Sequence, residues 1–188
     1  MIKTIKICGD PILREKSASV EKVDSYVRNL VADMFETMGS QRGVGLAAVQ
    51  VGVPIRLFIV DTTRIGGNKL VLINPRIVRR DGTQLGPEGC LSIPGLEGPI
   101  ERAHTIAYEA TGLDGEPLTG EASELTARAI QHENDHLNGI LFIDRLNAED
   151  RQAIARDLKR LKKQWKRIER GEIAIEALLH DLNSTPEL

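Results

Sequence analysis

The chain has 188 residues and a hydrophobic fraction of 41%, which suit one domain of ordinary size, although an aromatic fraction of 3% means that aliphatic side chains must dominate the core. No segment approaches the ~18 uninterrupted apolar residues of a membrane span, and the N-terminus lacks the apolar stretch of a secretory signal. Two cysteines in such a chain do not indicate a disulfide framework, so we expect a soluble protein of a reducing compartment.

The net charge of −2 hides an asymmetry along the chain. Residues 151–170 contain nine Lys or Arg and two Asp or Glu, a local charge of +7, whereas the other 168 residues sum to −9. A basic element on an acidic body is a candidate docking site for an anionic partner. The alternative is an ordinary solvated helix face.

The first predicted elements are a helix and three strands. Apolar residues at helical spacing predict a helix over 24–38, which Asp24 can cap. Residues 55–61 and 70–78 are β-branched and apolar, which is typical of strands. Residues 104–111 predict a further strand that enters a turn at 114–115.

Two helices are predicted in the second half of the chain. Residues 121–138 have a helical pattern, and Gly139 is placed to end it. The last helix is expected over 148–169 or further, with one narrow apolar stripe formed by Ile154, Leu158, Leu161, Trp165 and Ile168. Because the strands cluster and do not alternate with helices, the fold class is expected to be α+β.

The stretch "QHENDHLNG" contains H-E-x-x-H within the predicted helix. At about 3.6 residues per turn, His132 and His136 lie on one face and can bind one ion. Glu133 is rotated away by about a quarter-turn, where a general base would be placed. Two surface histidines beside an unrelated Glu are the alternative.

A catalytic metal site needs a third protein ligand and an open position. One protease class supplies it as H-E-x-x-H-x-x-G-x-x-H, but the third His position is here occupied by Phe142. His104 and His180 have no supporting motif. The remaining candidate is Cys90 in "GPEGCLSIPG", since a thiolate binds Zn²⁺ or Fe²⁺ well. A small buried core residue is the alternative for Cys90, and it is the interpretation we adopt for Cys8.

The stretch "GVGLAA", residues 43–48, matches a dinucleotide-binding pattern, but it follows a helix and precedes a strand, which is the wrong context. Its glycines imply a close backbone approach, and a tight connection between elements is the structural alternative. Gln50 is the first side chain after it that both donates and accepts hydrogen bonds.

Together "GVGLAAVQ", "EGCLS" and "QHENDH" resemble, in order and spacing, the three signature motifs of the peptide deformylases. That family removes the formyl group from the N-terminal formyl-methionine of new bacterial and organellar proteins. The resemblance implies an α+β fold in which antiparallel sheets surround a central metal-binding helix and a C-terminal helix follows. Residues 1–147 would form the catalytic part, and residues 148–188 a basic helical extension of the same domain.

The resemblance also implies roles for individual residues. One divalent ion would be bound with water as the fourth ligand by Cys90, His132 and His136. Catalysis would use Glu133 as general base and then general acid, with Gln50 and the backbone N–H of Leu91 stabilising the oxyanion. The substrate-binding residues would be Val44, Gly45, Gly89, Leu125 and Ala129. Glu88 would support the metal ligands by contacting them from outside the site. The resemblance assigns no role to Asp135, for which a similar supporting role and a charge on a solvated helix face are the two interpretations.

The family further implies a cofactor and partners. The ion would be Fe²⁺ in the cell, with Zn²⁺, Ni²⁺ or Co²⁺ able to replace it. The partners would be N-formylmethionyl nascent chains in the bacterial cytoplasm and the ribosome through the basic helix, with neither a membrane nor DNA. Glu97 and Arg128 depart from the residues common in the family, and the resemblance places both at the border of the substrate groove.

Two other functions compete with a deformylase. A metallopeptidase is supported by H-E-x-x-H alone, and Phe142 and Cys90 speak against it. A non-enzymatic binding protein on the same scaffold would be suggested by loss of a ligand or of Glu133, and none of these is lost.

Overall fold

The computed structural model of the chain describes residues 1–174, so His180 and the rest of 175–188 lie outside the described residues. The helices are α1 (Ser25–Ser40), α2 (Glu124–His136), α3 (Ala148–Ala153) and α4 (Ala155–Glu169). The strands are β1 (Gly45–Ala47), β2 (Leu57–Asp61), β3 (Lys69–Asp81), β4 (Gln84–Cys90), β5 (Ile93–Arg102), β6 (Thr105–Thr111) and β7 (Pro117–Ser123).

Antiparallel pairing organises all of these strands. One sheet has the order β1-β2-β3-β6-β7, and β4 and β5 form a separate hairpin. Helix α2 packs on the five-stranded sheet, where Ala127 and Ile130 share an apolar cluster with Phe58, Val60 and Leu72. The α+β class with antiparallel sheets around a central helix is therefore confirmed.

The early helix is also confirmed. The Asp24 side chain accepts a hydrogen bond from the backbone N–H of Val27 at 3.0 Å, which satisfies one of the free donors at the start of α1. The buried side of α1, including Leu30 and Met34, packs on the other face of the sheet against Ile59. α1 continues to Ser40, two residues beyond the predicted end.

Two predicted helix boundaries were wrong. Residues 121–123 belong to β7, because they pair with residues 105–107 of β6, so α2 begins only at Glu124. Gly139 follows the end of α2 with φ +71°, as expected of a terminating glycine. The single helix predicted over 148–169 is divided at Ile154, which packs against an apolar cluster at the base of α4.

The apolar stripe of α4 covers a second core. Leu158, Leu161 and Trp165 pack with the N-terminal segment, where Cys8 is 2% exposed, and this burial confirms a structural position for Cys8. Gly9 has φ +128°, and a Cβ atom there would lie 2.9 Å from Cδ1 of Trp165. Helix α4 therefore shares a core with the preceding part of the described chain. Within residues 1–174, no helix is both long and apolar enough to cross a membrane.

Trp165→Ala is expected to lower the free energy of unfolding by about 3–5 kcal/mol, because it removes a large buried side chain and leaves a cavity beneath α4. Denaturant unfolding measures the change. Lys166→Ala, at the exposed neighbouring position, is the control and should alter stability by less than ~0.5 kcal/mol. Equal stability of both variants would contradict this role for Trp165.

Candidate metal centre and its cleft

Three potential metal ligands come together at the end of the β4–β5 hairpin. His132 and His136 lie one turn apart on α2, with ring centroids 5.0 Å apart. Cys90 is the last residue of β4, and its Sγ lies 3.3 Å from Nε2 of His136. The three candidate ligand atoms all lie within 4.8 Å of one another.

These side chains fit a divalent ion. Bond lengths of about 2.3 Å to sulfur and 2.1 Å to nitrogen in a tetrahedral site separate the two ligand atoms by about 3.6 Å, close to the observed 3.3 Å. Burial lowers the pKa of His136 well below its ordinary value, which favours the neutral imidazole that binds metals.

The surroundings of His132 also favour a cation. Burial alone lowers the pKa of His132, but its hydrogen bonds to Cys90 and Glu88 outweigh burial and raise that pKa well above its ordinary value. The carboxylate of Glu88, which favours a proton on His132, would also favour a metal ion between His132 and Cys90. The residues present therefore suit a metal site of thiolate and imidazole ligands.

Glu133 lies beside this cluster and is 4% exposed. Burial raises the pKa of its carboxyl to about 7. Within residues 1–174, its Oε2 has no hydrogen-bond partner. Space for the carboxyl depends on Gly45, since a Cβ atom there would lie 2.9 Å from Cδ of Glu133.

The "GVGLAAVQ" stretch forms β1 followed by a short 3-10 helix, Ala48–Val51, which agrees with rejecting a dinucleotide site. Gln50 is buried next to Cys90. Its Oε1 accepts a hydrogen bond from the N–H of Ala47 at 2.8 Å, and its Nε2 donates to Ser92 Oγ at 3.1 Å and to Cys90 Sγ at 3.5 Å. The amide is thus oriented with its donor nitrogen toward the thiol.

A buried carboxylate fixes the first histidine. Glu88 contacts Nδ1 of His132 at 2.9 Å, accepts two hydrogen bonds from Arg102 at 2.8 Å each, and accepts one from Arg128 at 2.9 Å. Burial raises the pKa of Glu88, but the hydrogen bonds from Arg102 and His132 outweigh it and lower the pKa to about 2. The ionised carboxylate leaves Nε2 of His132 free to face Cys90.

The same network extends to Asp135. Arg102 donates to Asp135 at 2.6 Å, and Arg145 pairs with the same carboxylate. Arg128 also donates to the backbone carbonyls of Gly86 and Ile100 in the hairpin. Asp135 therefore anchors Arg102 behind the cluster.

Sequence reasoning missed the structural roles of Arg102, Arg128 and Arg145. A signal was available for Arg128, because Arg128, His132 and Asp135 are spaced by four and then three residues, which aligns them on one face of α2. At position 142, Phe142 is buried and its ring lies 6.5 Å from that of His132. It belongs to the apolar core and offers no metal ligand.

The cluster opens into a cleft of about 690 Å³. Ten of the predicted site residues line this cleft: Val44, Gly45, Gln50, Gly89, Cys90, Leu91, Leu125, Ala129, His132 and Glu133. His136 lies behind them and is 1% exposed. Val44 and Leu125 are 42% and 36% exposed, so they form apolar parts of the cleft mouth.

Comparison with known proteins adds independent findings. A peptide deformylase of Dictyoglomus thermophilum is 49% identical over 145 residues, which cover 77% of this chain and 93% of that protein. One from Alkalilimnicola ehrlichii is 46% identical over 164 residues, covering 87% of this chain and 92% of the relative. The crystal structure of peptide deformylase from Thermus thermophilus matches with a TM-score of 0.81 and 40% identity, covering 87% of this chain and 99% of that one.

The family described as polypeptide deformylase matches residues 2–152, which include every residue of the cluster and cleft. With relatives near 50% identity and matching solved structures, this chain belongs to the polypeptide deformylase family.

Proposed function

We propose that this chain hydrolyses the formyl group from the N-terminal formyl-methionine of new proteins and releases formate. One observation carries the proposal: Cys90, His132 and His136 meet beside the buried carboxyl of Glu133, and the cleft reaches this cluster through Cys90, His132 and Glu133. In a chain of this family, that arrangement provides a metal-binding site and a proton acceptor in contact with bound substrate.

The metal would be held by Sγ of Cys90 and one nitrogen each of His132 and His136. A divalent ion bound there lowers the pKa of water and polarises the carbonyl under attack. Two imidazoles and a thiolate suit Fe²⁺, which we propose for the cell, and also Zn²⁺, Ni²⁺ or Co²⁺. Glu88 keeps the ring of His132 in the orientation that this binding needs.

Glu133 moves the proton. Its Oε2, which has no hydrogen-bond partner among residues 1–174, accepts a proton from the attacking water and later delivers it to the leaving amine. A pKa raised to about 7 suits both steps, because the carboxyl can then take and give a proton near neutral pH. Gly45 keeps the space beside this carboxyl open for a formyl group, which carries only hydrogen beyond its carbonyl.

Two donors stabilise the negative charge that develops on the formyl oxygen. One donor is Nε2 of Gln50, which points toward Cys90, and the other is the backbone N–H of Leu91, the residue that follows Cys90 in the chain. Each donor of this kind is worth about 3 kcal/mol in the transition state. The methionine side chain is received by Val44, Leu125 and Ala129, while Gly89 lets the peptide backbone approach the hairpin.

A metallopeptidase is the weaker alternative. Its third histidine would have to lie at Phe142, whose buried ring belongs to the core. A binding protein without catalysis is also weaker, because the three clustered residues and Glu133 are all retained.

Glu133→Ala is expected to retain bound metal and to lose at least about 10²-fold in kcat, because the proton acceptor is removed while the ligand set stays intact. Formate release from a formyl-Met peptide and metal content are measured in the same sample. Turnover at the wild-type rate would contradict the role of Glu133.

Gly45→Ala supplies a second variant with the carboxyl still present. Its added methyl group displaces Glu133, so kcat should fall while metal content stays constant. Gly39→Ala is the matched control, because a Cβ atom there meets nothing within 4 Å, and its kcat should match that of the wild type.

We further propose that residues 1–147 form the catalytic part, that 148–188 form its extension, and that this extension docks on the ribosome in the bacterial cytoplasm. The free thiols of Cys8 and Cys90 agree with a reducing compartment. The exposed basic side chains of α4 would contact ribosomal RNA: Arg156, Lys159, Arg160, Lys162, Lys163, Lys166 and Arg167.

Charge substitution tests this docking better than truncation, because removal of α4 would also remove its buried apolar stripe and uncover the residues on which it packs, including Cys8 and Leu13. The combined variant Lys159→Glu, Lys163→Glu and Lys166→Glu should lose salt-sensitive cosedimentation with ribosomes while its deformylation of free peptides continues. Unchanged cosedimentation would show that α4 is not the anchor.

A further inference from the structure

Two exposed charged side chains line the cleft and are not used by the proposed chemistry. They are Arg42, in the turn between α1 and β1, and Glu97, in β5. Within residues 1–174, neither side chain forms an ion pair. The other charged residues lining the cleft, Glu88, Arg128, His132 and Glu133, are all buried.

Glu97 stands close to the reacting end of the cleft. It pairs across the hairpin with Gly89, the residue before Cys90. A Cβ atom at Gly89 would meet Cβ of Glu97 at 4.0 Å, an ordinary van der Waals contact, so Glu97 lies directly beside the β4 backbone at Gly89. The carboxylate is therefore held on a paired strand beside the path of the peptide that follows the formyl-methionine.

Arg42 is held on a different element. Its backbone is left-handed with φ +56°, a conformation that few residues other than glycine adopt, and its N–H donates to the carbonyl of Gly39. In an extended peptide, successive side chains point to opposite sides. Charges on two different elements of the cleft can therefore contact side chains at different positions of the substrate.

We propose that Glu97 and Arg42 select among formylated peptides by charge, with Glu97 favouring a basic side chain at one of the two positions after the methionine and Arg42 favouring an acidic one at the other. This selection rests on the proposed deformylase function. Contacts that are equally strong in the bound substrate and in the transition state change KM and not kcat, and this is the effect expected of the two charges.

The test uses four peptides, formyl-Met-Xaa-Gln and formyl-Met-Gln-Xaa with Lys or Glu as Xaa. At the position facing Glu97, wild-type kcat/KM should be about 2- to 25-fold higher for Lys than for Glu, the range for an exposed pair exchanged for its repulsive counterpart. Glu97→Lys should invert this ratio, and Glu97→Gln should bring it near one. At 1 M salt, where the screening length is about 3 Å, the wild-type ratio should approach one.

Two further variants complete the design. Arg42→Asn keeps a side chain that tolerates the left-handed backbone. At the position facing Arg42, where the wild type should prefer Glu, this variant should raise the ratio of kcat/KM for Lys to kcat/KM for Glu. Glu116→Lys changes the net charge equally, but Glu116 lies outside the cleft in the β6–β7 turn, so it should leave both ratios unchanged.

The outcomes separate the two proposals. Charge selection would be overturned if the wild type at low salt had equal kcat/KM for the Lys and Glu peptides. It would also be overturned if Glu97→Lys shifted the Lys-to-Glu ratio of kcat/KM no more than Glu116→Lys does. Absence of formate release from formyl-Met-Gln-Gln with the metal-loaded wild type would instead overturn the proposed function.

Discussion

The buried carboxylate of Glu88 is the contact on which the site depends. It joins the hairpin to α2, because Glu88 lies on β4 and its partners His132 and Arg128 lie on the helix. A buried carboxylate is costly unless its charge and hydrogen bonds are satisfied, and here Arg102 supplies two of those bonds. The same contact that holds the hairpin in place orients the ring of His132 toward Cys90.

The site thus consists of two halves that are distant in sequence. The β4–β5 hairpin contributes Cys90, Leu91 and Glu97. Helix α2 contributes His132, His136 and Glu133. The five-stranded sheet supports α2 from the other side and contributes Gly45 at its edge strand β1. Since the cleft lies where these elements meet, its shape depends on the buried ionic network as well as on apolar packing.

Local patterns predicted much of this arrangement. The cap at Asp24, the helical spacing of His132 and His136, and the thiolate-bearing "EGCLS" motif all act over a few residues, so they are visible in the sequence. The start of α2 was misjudged, because residues 121–123 are recruited into β7 by pairing with β6. The partners of Asp135 were not predictable either, since Arg102 is separated from it by 33 residues and only the folded chain brings them together.

The most direct test of the account is anaerobic purification, which protects an iron–thiolate site from oxidation, followed by metal analysis and peptide turnover on the same sample. The account predicts about one divalent ion per chain and formate release from a formyl-Met peptide that rises in proportion to metal occupancy and disappears on chelation. Undiminished formate release by the metal-free protein, or cleavage inside an unformylated peptide without formate release, would contradict it.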